Sequence, residues 1–224
     1  MIIAIDGTVA SGKSSAAKLL AQRLGYVYIN TGLMYRGVAA FCRRHGISTN
    51  DSRAVALHVK FLKVDLRNTA GGQRVLINGN DLTEAATAAD IGAYVSDIAD
   101  NKIVREVLVR AQQRLGRLAG NAVLEGRDIG SVVFPDAEVK FFVTADVCER
   151  ARRRLADDLP KNPGLTLAAV EEATRARDER DRTRAVGALV RMPDAIDIDT
   201  THNRGPEQTV AQMLAAMRAM QFDV

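Results

Sequence analysis

The sequence predicts an α/β protein whose short buried strands form a parallel sheet covered by helices on both faces. Two observations predict this class: five short apolar runs that are typical of buried strands, and helical stretches that separate them. A third observation, a glycine-containing loop directly after the first run, predicts where a ligand binds. The predicted strands are Ile2–Ile5, Val27–Ile29, Ala122–Glu125, Val139–Val143 and Ala195–Asp199.

The loop after the first strand matches the phosphate-binding pattern G-x-x-x-x-G-K-[S/T] and is followed by a predicted helix from Ser14 to Leu24. Backbone N–H groups at such a helix start have no partner inside the helix, and the helix dipole favours an anion there. We expect Lys13 to reach the outer phosphates of a nucleoside triphosphate and the Ser14 hydroxyl to bind Mg²⁺. The alternative is an ordinary strand-turn-helix with a fortuitous lysine. The predicted phosphate-binding residues are Gly7, Thr8, Val9, Ala10, Ser11, Gly12, Lys13, Ser14 and Ser15.

The composition indicates a folded protein of the cytoplasm. The 224 residues are 47% hydrophobic, and no apolar run approaches the roughly 20 residues that cross a bilayer. The N-terminus lacks the basic segment of a signal peptide, so Cys42 and Cys148 are expected to be reduced thiols. The three histidines lie at no metal-ligand spacing.

The basic charge favours a small anionic ligand over nucleic acid. The net charge is +4 and the pI is about 9.3, but only 4% of residues are aromatic and there is no Trp. That composition is poor for stacking single-stranded bases. The arginines instead concentrate in Glu149–Arg154 and Arg175–Arg184, where they are mixed with carboxylates.

The pattern changes between Asp51 and Gly120, and the sheet pattern resumes afterwards, which indicates an insertion into the sheet. A later segment, Asp157–Gly164, carries two prolines between charged helices and is predicted to be a mobile connection. The elements predicted within the insertion are strands Phe61–Arg67 and Gln73–Ile77, paired as a hairpin, and helices Glu84–Ala99 and Lys102–Leu118.

Two further runs follow predicted strands, and ligands of open α/β sheets gather at the carboxyl ends of strands. Thr31 and Arg36 follow the second strand, and an arginine suits a phosphate because its planar fork donates two parallel bonds. Arg127 and Asp128 follow the third and fit a ligand with a phosphate and a hydrogen-bond donor. A surface arginine in the first run and a purely structural turn in the second are the alternatives.

The run from Arg175 to Arg184 holds five arginines and three acids within ten residues. In a helix, Arg177, Asp181 and Arg184 share one face. Surface charge runs are usually solvated, but this excess of arginine indicates a side that faces an anion. The second cluster, from Arg150 to Arg154, lies beside the predicted mobile connection, where arginines can close over a transferring phosphoryl group.

Taken together, these motifs closely resemble those of bacterial cytidylate kinases of the long type, over essentially the whole chain. The runs that carry the resemblance are the phosphate loop, N-T-G-L-M-Y-R, V-S-D-I-A followed by V-R-E, E-G-R-D-I-G-S-V-V-F-P-D and A-R-D-E-R-D-R-T-R-A-V. The resemblance implies one domain over residues 1–224 with the P-loop NTPase fold: three layers around a central five-stranded parallel sheet. It also implies an inserted monophosphate-binding region at about 51–120 and an arginine-bearing lid at about 148–165.

The implied activity is ATP-dependent phosphorylation of CMP and dCMP, with Mg²⁺, by a cytoplasmic monomer that binds neither nucleic acid nor membrane. The catalytic residues implied are Lys13, Arg127, Arg150 and Arg154. A carboxylate accepts a hydrogen bond from the cytosine amino group and would repel the uracil carbonyl, which fits the implied role of Asp128. The implied substrate contacts are Arg36 and Arg127 to the acceptor phosphate; Ser96, Arg105, Asp128 and Arg184 to cytosine; Arg177 and Asp181 to ribose; and Thr31 in the same pocket.

The chain departs from the family pattern at Asn30, where Asp is usual, and over Thr8–Ala10, where Pro, then Ala or Ser, then Gly or Ser are usual. A loop that works through backbone amides tolerates those side chains if φ stays negative. Kinases for uridylate, thymidylate or shikimate are the alternatives among enzymes. A GTP switch would need N-K-x-D, whereas Asn101–Val104 ends in valine. A nucleic-acid-dependent ATPase is supported by the pI alone.

Overall fold

The computed structural model describes residues 1–160 and 162–223, in which helices and strands alternate along the chain. The strands are β1 Ile2–Gly7, β2 Val27–Asn30, β3 Val64–Thr69, β4 Gly72–Ile77, β5 Asn80–Asp81, β6 Ala122–Glu125, β7 Val139–Thr144 and β8 Ile196–Asp199. The helices are α1 Lys13–Leu24, α2 Thr31–Arg44, α3 Ser52–Val59, α4 Thr83–Thr87, α5 Gly92–Asp100, α6 Lys102–Ala119, α7 Val147–Asp158, α8 Leu167–Thr183 and α9 Pro206–Ala219, with a π-helical turn at Ile129–Val133.

Five parallel strands form the main sheet in the order β2–β6–β1–β7–β8, so β1 lies in the centre. Its neighbours on both sides are parallel to it, with Ile3 opposite Val123 on one side and Val139 on the other. All five strands predicted from apolar runs are present, which confirms the predicted fold class. The order reverses at β1, which places the crevice for a ligand beside the loop that follows β1.

Helices cover both faces of this sheet. On one face, α1 and α9 pack through Ala17, Leu20 and Met213 against apolar strand residues. On the other face, Ile29 and Leu124 of the sheet pack with Ile129 and Phe134 of the π-helical turn and the residue that ends it. The inner strands β6, β1 and β7 are therefore buried on both faces, as their apolar runs predict, whereas the edge strands β2 and β8 keep exposed residues such as Val27 and Asp197.

The segment between α2 and β6 forms a second apolar cluster with α2 and carries a three-stranded antiparallel sheet, β3–β4–β5. Its first strand begins at Val64 rather than at Phe61, because Phe61 lies in a turn and is 82% exposed. The helix predicted from Glu84 to Ala99 is two helices, α4 and α5. Ala88 adopts an extended backbone between them, and Ile91 is buried in the cluster.

Helices α7 and α8 form an antiparallel pair that packs together beside the phosphate loop. Helix α7 continues to Asp158, two residues into the segment predicted to be a mobile connection. That segment includes Lys161, which lies outside the described residues. Within residues 1–160 and 162–223, no helix is both long enough and apolar enough to span a membrane.

Candidate active site

A cavity of about 560 Å³ opens at the carboxyl ends of β1, β2 and β6. It gathers residues from the phosphate loop, α2, the insertion, the β6 turn and α8 into one space. Its charged lining is strongly basic, since seven cationic side chains face three carboxylates among the described residues. These are Lys13, Arg36, Arg105, Arg127, Arg154, Arg177 and Arg184, against Glu125, Asp128 and Asp181.

The phosphate loop turns between β1 and α1, and two of its side chains donate hydrogen bonds to the same backbone carbonyl. The Lys13 ammonium donates to the Thr8 carbonyl at 3.2 Å, and the Ser11 hydroxyl donates to the same carbonyl at 3.0 Å. Gly12 precedes α1 with a φ of 80°. Ala10 has a φ of +56°, so the condition of a negative φ, under which the loop tolerates these side chains without strain, is not met at this residue. The left-handed conformation costs a residue with a Cβ about 1–2 kcal/mol, so the loop stores strain at Ala10.

Glu125 lies at the centre of the site, although no role is predicted for it from the sequence. One carboxylate oxygen accepts from the Ser14 hydroxyl at 2.8 Å and the other from the Tyr28 hydroxyl at 3.0 Å. Its backbone carbonyl accepts from the Thr31 hydroxyl at 2.7 Å. Glu125 thereby links the phosphate loop to β2 and α2. The signal that could have found it is its position as the last residue of β6, at the strand end where ligands bind.

Arg105 and Asp128 form a buried ion pair in the wall of the cavity. The Arg105 guanidinium also donates to the Ala99 carbonyl at 3.3 Å and lies over the Tyr35 ring, 5.7 Å from its centroid. Gly187 lies directly behind Arg105. Burial raises the pKa of Asp128, and Arg105 opposes that shift by favouring the carboxylate. A paired carboxylate aimed at a cavity can accept a hydrogen bond from a neutral ligand donor.

A second charge network joins the β6 turn to α8. Arg127 donates to Asp181 at 2.8 Å, Arg184 donates to the other Asp181 oxygen at 2.9 Å, and Arg177 lies 4.0 Å away. Burial alone would raise the pKa of Asp181, but these three arginines hold it below its usual value. Arg184 also bonds Asp100 of α5 at 2.6 Å. The helical spacing predicted for Arg177, Asp181 and Arg184 thus places all three on the cavity.

Other predicted residues lie on the same cavity or near it. Arg36 lines the wall beside Thr31, and burial lowers the pKa of its guanidinium. Arg154 lines the wall from α7 and pairs with Asp158 at 3.3 Å. Asn30 caps α2 by accepting from the Leu33 N–H at 2.9 Å.

The structure does not bring every predicted site residue to the cavity. Ser96 lies on α5 between two lining residues, Val95 and Ala99, but does not line the space itself. Of the phosphate loop, Val9, Ala10, Lys13 and Ser14 line the cavity, whereas Gly7, Thr8, Ser11, Gly12 and Ser15 form the rest of the bend.

Arg150 does not line the cavity and instead bonds the backbone of the phosphate loop. It is 5% exposed, donates to the Val9 carbonyl at 3.2 Å and pairs with Asp178 of α8 at 2.7 Å. A carboxylate neutralises each of the two arginines predicted for the lid, because Arg150 pairs with Asp178 and Arg154 with Asp158.

Lys13 is the buried cation of the phosphate loop, and its ionisation predicts a proton linkage. Burial, helped by the nearby Arg127 charge, lowers its pKa to about 7. Phosphate groups favour the charged ammonium and so raise this pKa on binding. We therefore expect triphosphate binding to take up a proton above pH 7, and affinity to weaken as pH rises through 7.

Calorimetry of ATP binding in buffers of different ionisation enthalpy measures this uptake. The Lys13→Met variant has no ionisable side chain at this position, so its binding of ATP above pH 7 should no longer take up this proton. An unchanged proton uptake in that variant would assign the linkage to another group.

Comparisons with known proteins show the family to which the chain belongs. The chain matches the family model described as cytidylate kinase over residues 3–219. It is 44% identical over 201 residues to the cytidylate kinase of Geobacter sulfurreducens, covering 90% of this chain and 86% of that protein. It is 40% identical over 228 residues to the cytidylate kinase of Chloroherpeton thalassium, covering 100% of this chain and 94% of that protein.

Among solved structures, a shikimate kinase from Bacteroides thetaiotaomicron has a similar fold. Its TM-score is 0.50 at 12% identity, over 97% of this chain and 98% of that one. At that identity the likeness concerns the fold alone. The family model and the two relatives match nearly the full length, and the chain therefore belongs to the cytidylate kinase family and is a phosphotransferase.

Proposed function

We propose that this chain transfers the terminal phosphoryl group of ATP to CMP and dCMP, which yields ADP with CDP or dCDP. The observation that carries the proposal is one continuous cavity lined both by the phosphate loop and by the buried Arg105–Asp128 pair. The first feature fits a nucleotide triphosphate, and the second fits a base with an exocyclic amino group.

Phosphoryl transfer needs positioning and charge neutralisation more than covalent chemistry from the protein. In this proposal Lys13 neutralises charge on the transferring group, while Arg36 and Arg127 hold the acceptor phosphate. Arg154 approaches from α7. Arg150 contributes by fixing the Val9 carbonyl behind the loop.

Asp128 would read the base by accepting a hydrogen bond from the cytosine amino group, with Arg105 fixing its orientation. Arg184 completes the proposed base contacts, with Ser96 joining it when α5 moves toward the cavity on closure, and Arg177 and Asp181 make the proposed ribose contacts. A ring carbonyl at the amino position, as in uracil, would place an acceptor against the carboxylate. The proposed preference for cytosine thus follows from the charge of Asp128.

The donor set around Ser14 fits Mg²⁺ bound together with phosphates. The Ser14 hydroxyl donates its hydrogen to Glu125, which leaves its oxygen lone pairs free for a cation. Among residues 1–160 and 162–223 no cluster of three or more His, Cys, Asp or Glu could hold a metal by itself. Mg²⁺ typically relies on substrate phosphates and water for most of its ligands. When bound, it would neutralise phosphate charge during transfer.

We further propose that the chain works as one cytoplasmic, monomeric domain, with residues 51–120 as the monophosphate-binding insert and residues 148–165 as the lid. The hydrogen bond from Arg184, the residue that ends α8, to Asp100 of α5 supports this division, because it joins the insert to α8, which packs against α7 of the proposed lid. Closure over both nucleotides would exclude water, which otherwise competes as phosphoryl acceptor.

An assay of ADP release tests the proposed function. With ATP and Mg²⁺, the purified chain should turn over CMP and dCMP faster than UMP, AMP, dTMP or shikimate. A faster rate with any of the latter would replace the proposed substrate.

Asp128→Asn tests the base assignment within that assay. The amide removes the negative charge and presents a donor as well as an acceptor, so the preference for CMP over UMP should narrow by about 1–3 kcal/mol. The comparison is the ratio of kcat/KM for the two substrates. An equal loss on both would make Asp128 a structural residue.

A further inference from the structure

Asp6 is a buried carboxylate that no step proposed above employs. It lies in β1 directly before Gly7, the first residue of the phosphate loop, and is 5% exposed. It does not line the cavity. A carboxylate taken out of water in this way is costly unless strong hydrogen bonds replace the lost solvation.

The partners of Asp6 are two backbone amides from a distant part of the chain. One carboxylate oxygen accepts from the Ile129 N–H at 2.8 Å and the other from the Gly130 N–H at 2.7 Å. These are the first two residues after Asp128. The Asp128 carbonyl in turn accepts from the N–H groups of Val132 and Val133 within the π-helical turn. The backbone around Asp128 is therefore held from both sides.

We propose that Asp6 is a positioning residue for base selection, which aims the Asp128 carboxylate by holding the two amides that follow it. The inference rests on the proposed function, since it assumes that Asp128 reads the base. Two independent bonds to consecutive amides fix both the position and the tilt of that turn. Helix and turn starts are usually capped by a side chain from the residues just before them. Here the cap comes from the strand that leads into the phosphate loop, so one side chain sets the base-reading turn against that loop.

The surroundings of Asp6 agree with a fixed turn. A Cβ on Gly130 would lie 3.1 Å from the Lys140 side chain and 3.5 Å from an Asp6 oxygen, so the turn has little room to move. The charged groups that act on Asp6 include Asp128 and Arg127, and they oppose each other. Burial raises the pKa of Asp6 to about 7, while the Gly130 and Ile129 amides lower it.

Asp6→Asn tests the proposal with almost no change in volume. The amide keeps one acceptor but turns an NH₂ group toward the other backbone N–H, so one of the two bonds is lost. We expect the preference for CMP over UMP, as a ratio of kcat/KM, to narrow by about tenfold, the worth of one hydrogen bond to a charged group. The KM for ATP should change by about twofold at most, since the phosphate loop keeps its own contacts.

The matched control is Asp178→Asn, which alters another buried carboxylate that holds the phosphate loop through Arg150. It should raise the KM for ATP and leave the base preference in place. Asp6→Ser is the second variant, since a hydroxyl also caps amides and demands less room. Combined with Asp128→Asn, Asp6→Asn should cause no further loss of preference, because both changes act on one contact.

Hydrogen exchange at Ile129 and Gly130 should quicken in each folded Asp6 variant. If a folded Asp6 variant keeps the wild-type preference for CMP over UMP, the proposal is overturned, whether or not the KM for ATP rises. If the wild-type enzyme does not favour CMP over UMP, the proposed function is wrong. Faster hydrogen exchange at Ile129 and Gly130 in the Asp6 variants would still show that Asp6 holds the turn.

Discussion

Lys13→Ala should lower kcat by about 10²–10³-fold or more while the fold is retained. The ammonium is the one cation among the described loop residues, Gly7 to Ser15, that can follow charge as it develops on the transferring phosphoryl group. It donates to the Thr8 carbonyl, and burial lowers its pKa to about 7, so the charged form is unfavourably buried. Removal of the ammonium should therefore change the free energy of unfolding little and raise the free energy of the transition state strongly.

The control for this prediction is Lys18→Ala, since Lys18 is an exposed lysine on the same helix. That variant should keep wild-type turnover and thermal stability. Steady-state kinetics and thermal unfolding of both variants make the comparison. Near-normal turnover by folded Lys13→Ala would remove the ammonium from the mechanism.

Gly187→Ala should cost the enzyme most of its CMP turnover. A Cβ at this position would overlap an Arg105 guanidinium nitrogen, so the arginine must leave its place against Asp128. Removing one partner of a buried ion pair typically lowers the free energy of unfolding by about 3–5 kcal/mol. We expect lower stability together with a kcat/KM for CMP reduced by about tenfold or more, since Asp128 loses the group that orients it.

Gly25→Ala is a closely matched control, because Gly25 has the same φ of 68° as Gly187 but nothing within 4 Å of its added Cβ. It should lose about 1–2 kcal/mol from left-handed backbone strain alone and keep full activity. The difference between the two variants then measures the contact with Arg105. Equal losses of stability and equal activities would show that the Arg105 contact is without consequence for the site.

The strands and the phosphate loop follow from local sequence, whereas parts of the site depend on long-range packing. Runs of three to five residues predicted all five strands of the main sheet, since a strand buried on both faces needs an apolar run. The face shared by Arg177, Asp181 and Arg184 was also predictable, because helical periodicity sets it. Their meeting with Arg127 required the fold.

Three features show what local sequence could not provide. Glu125 and Asp6 are single carboxylates at strand ends, and their partners lie 97 to 124 residues away along the chain. Arg150 and Arg154 are neighbours on one turn of helix, and the packing of α7 on α8 decides which one faces the cavity. The left-handed backbone of Ala10 is a property of the folded loop that its residue type disfavours.

The grip of Arg150 on the Val9 carbonyl has a consequence for engineering by segment exchange. A graft of the lid alone, residues 148–165, brings its own α7 but leaves α8 with Asp178, and the phosphate loop, in the host. Such a graft would function only if it carried an arginine at position 150 that bonds the host's Val9 carbonyl and pairs with the host's Asp178. A segment that keeps this pair together must therefore be larger than the lid and include both Arg150 and Asp178, which together hold the phosphate loop.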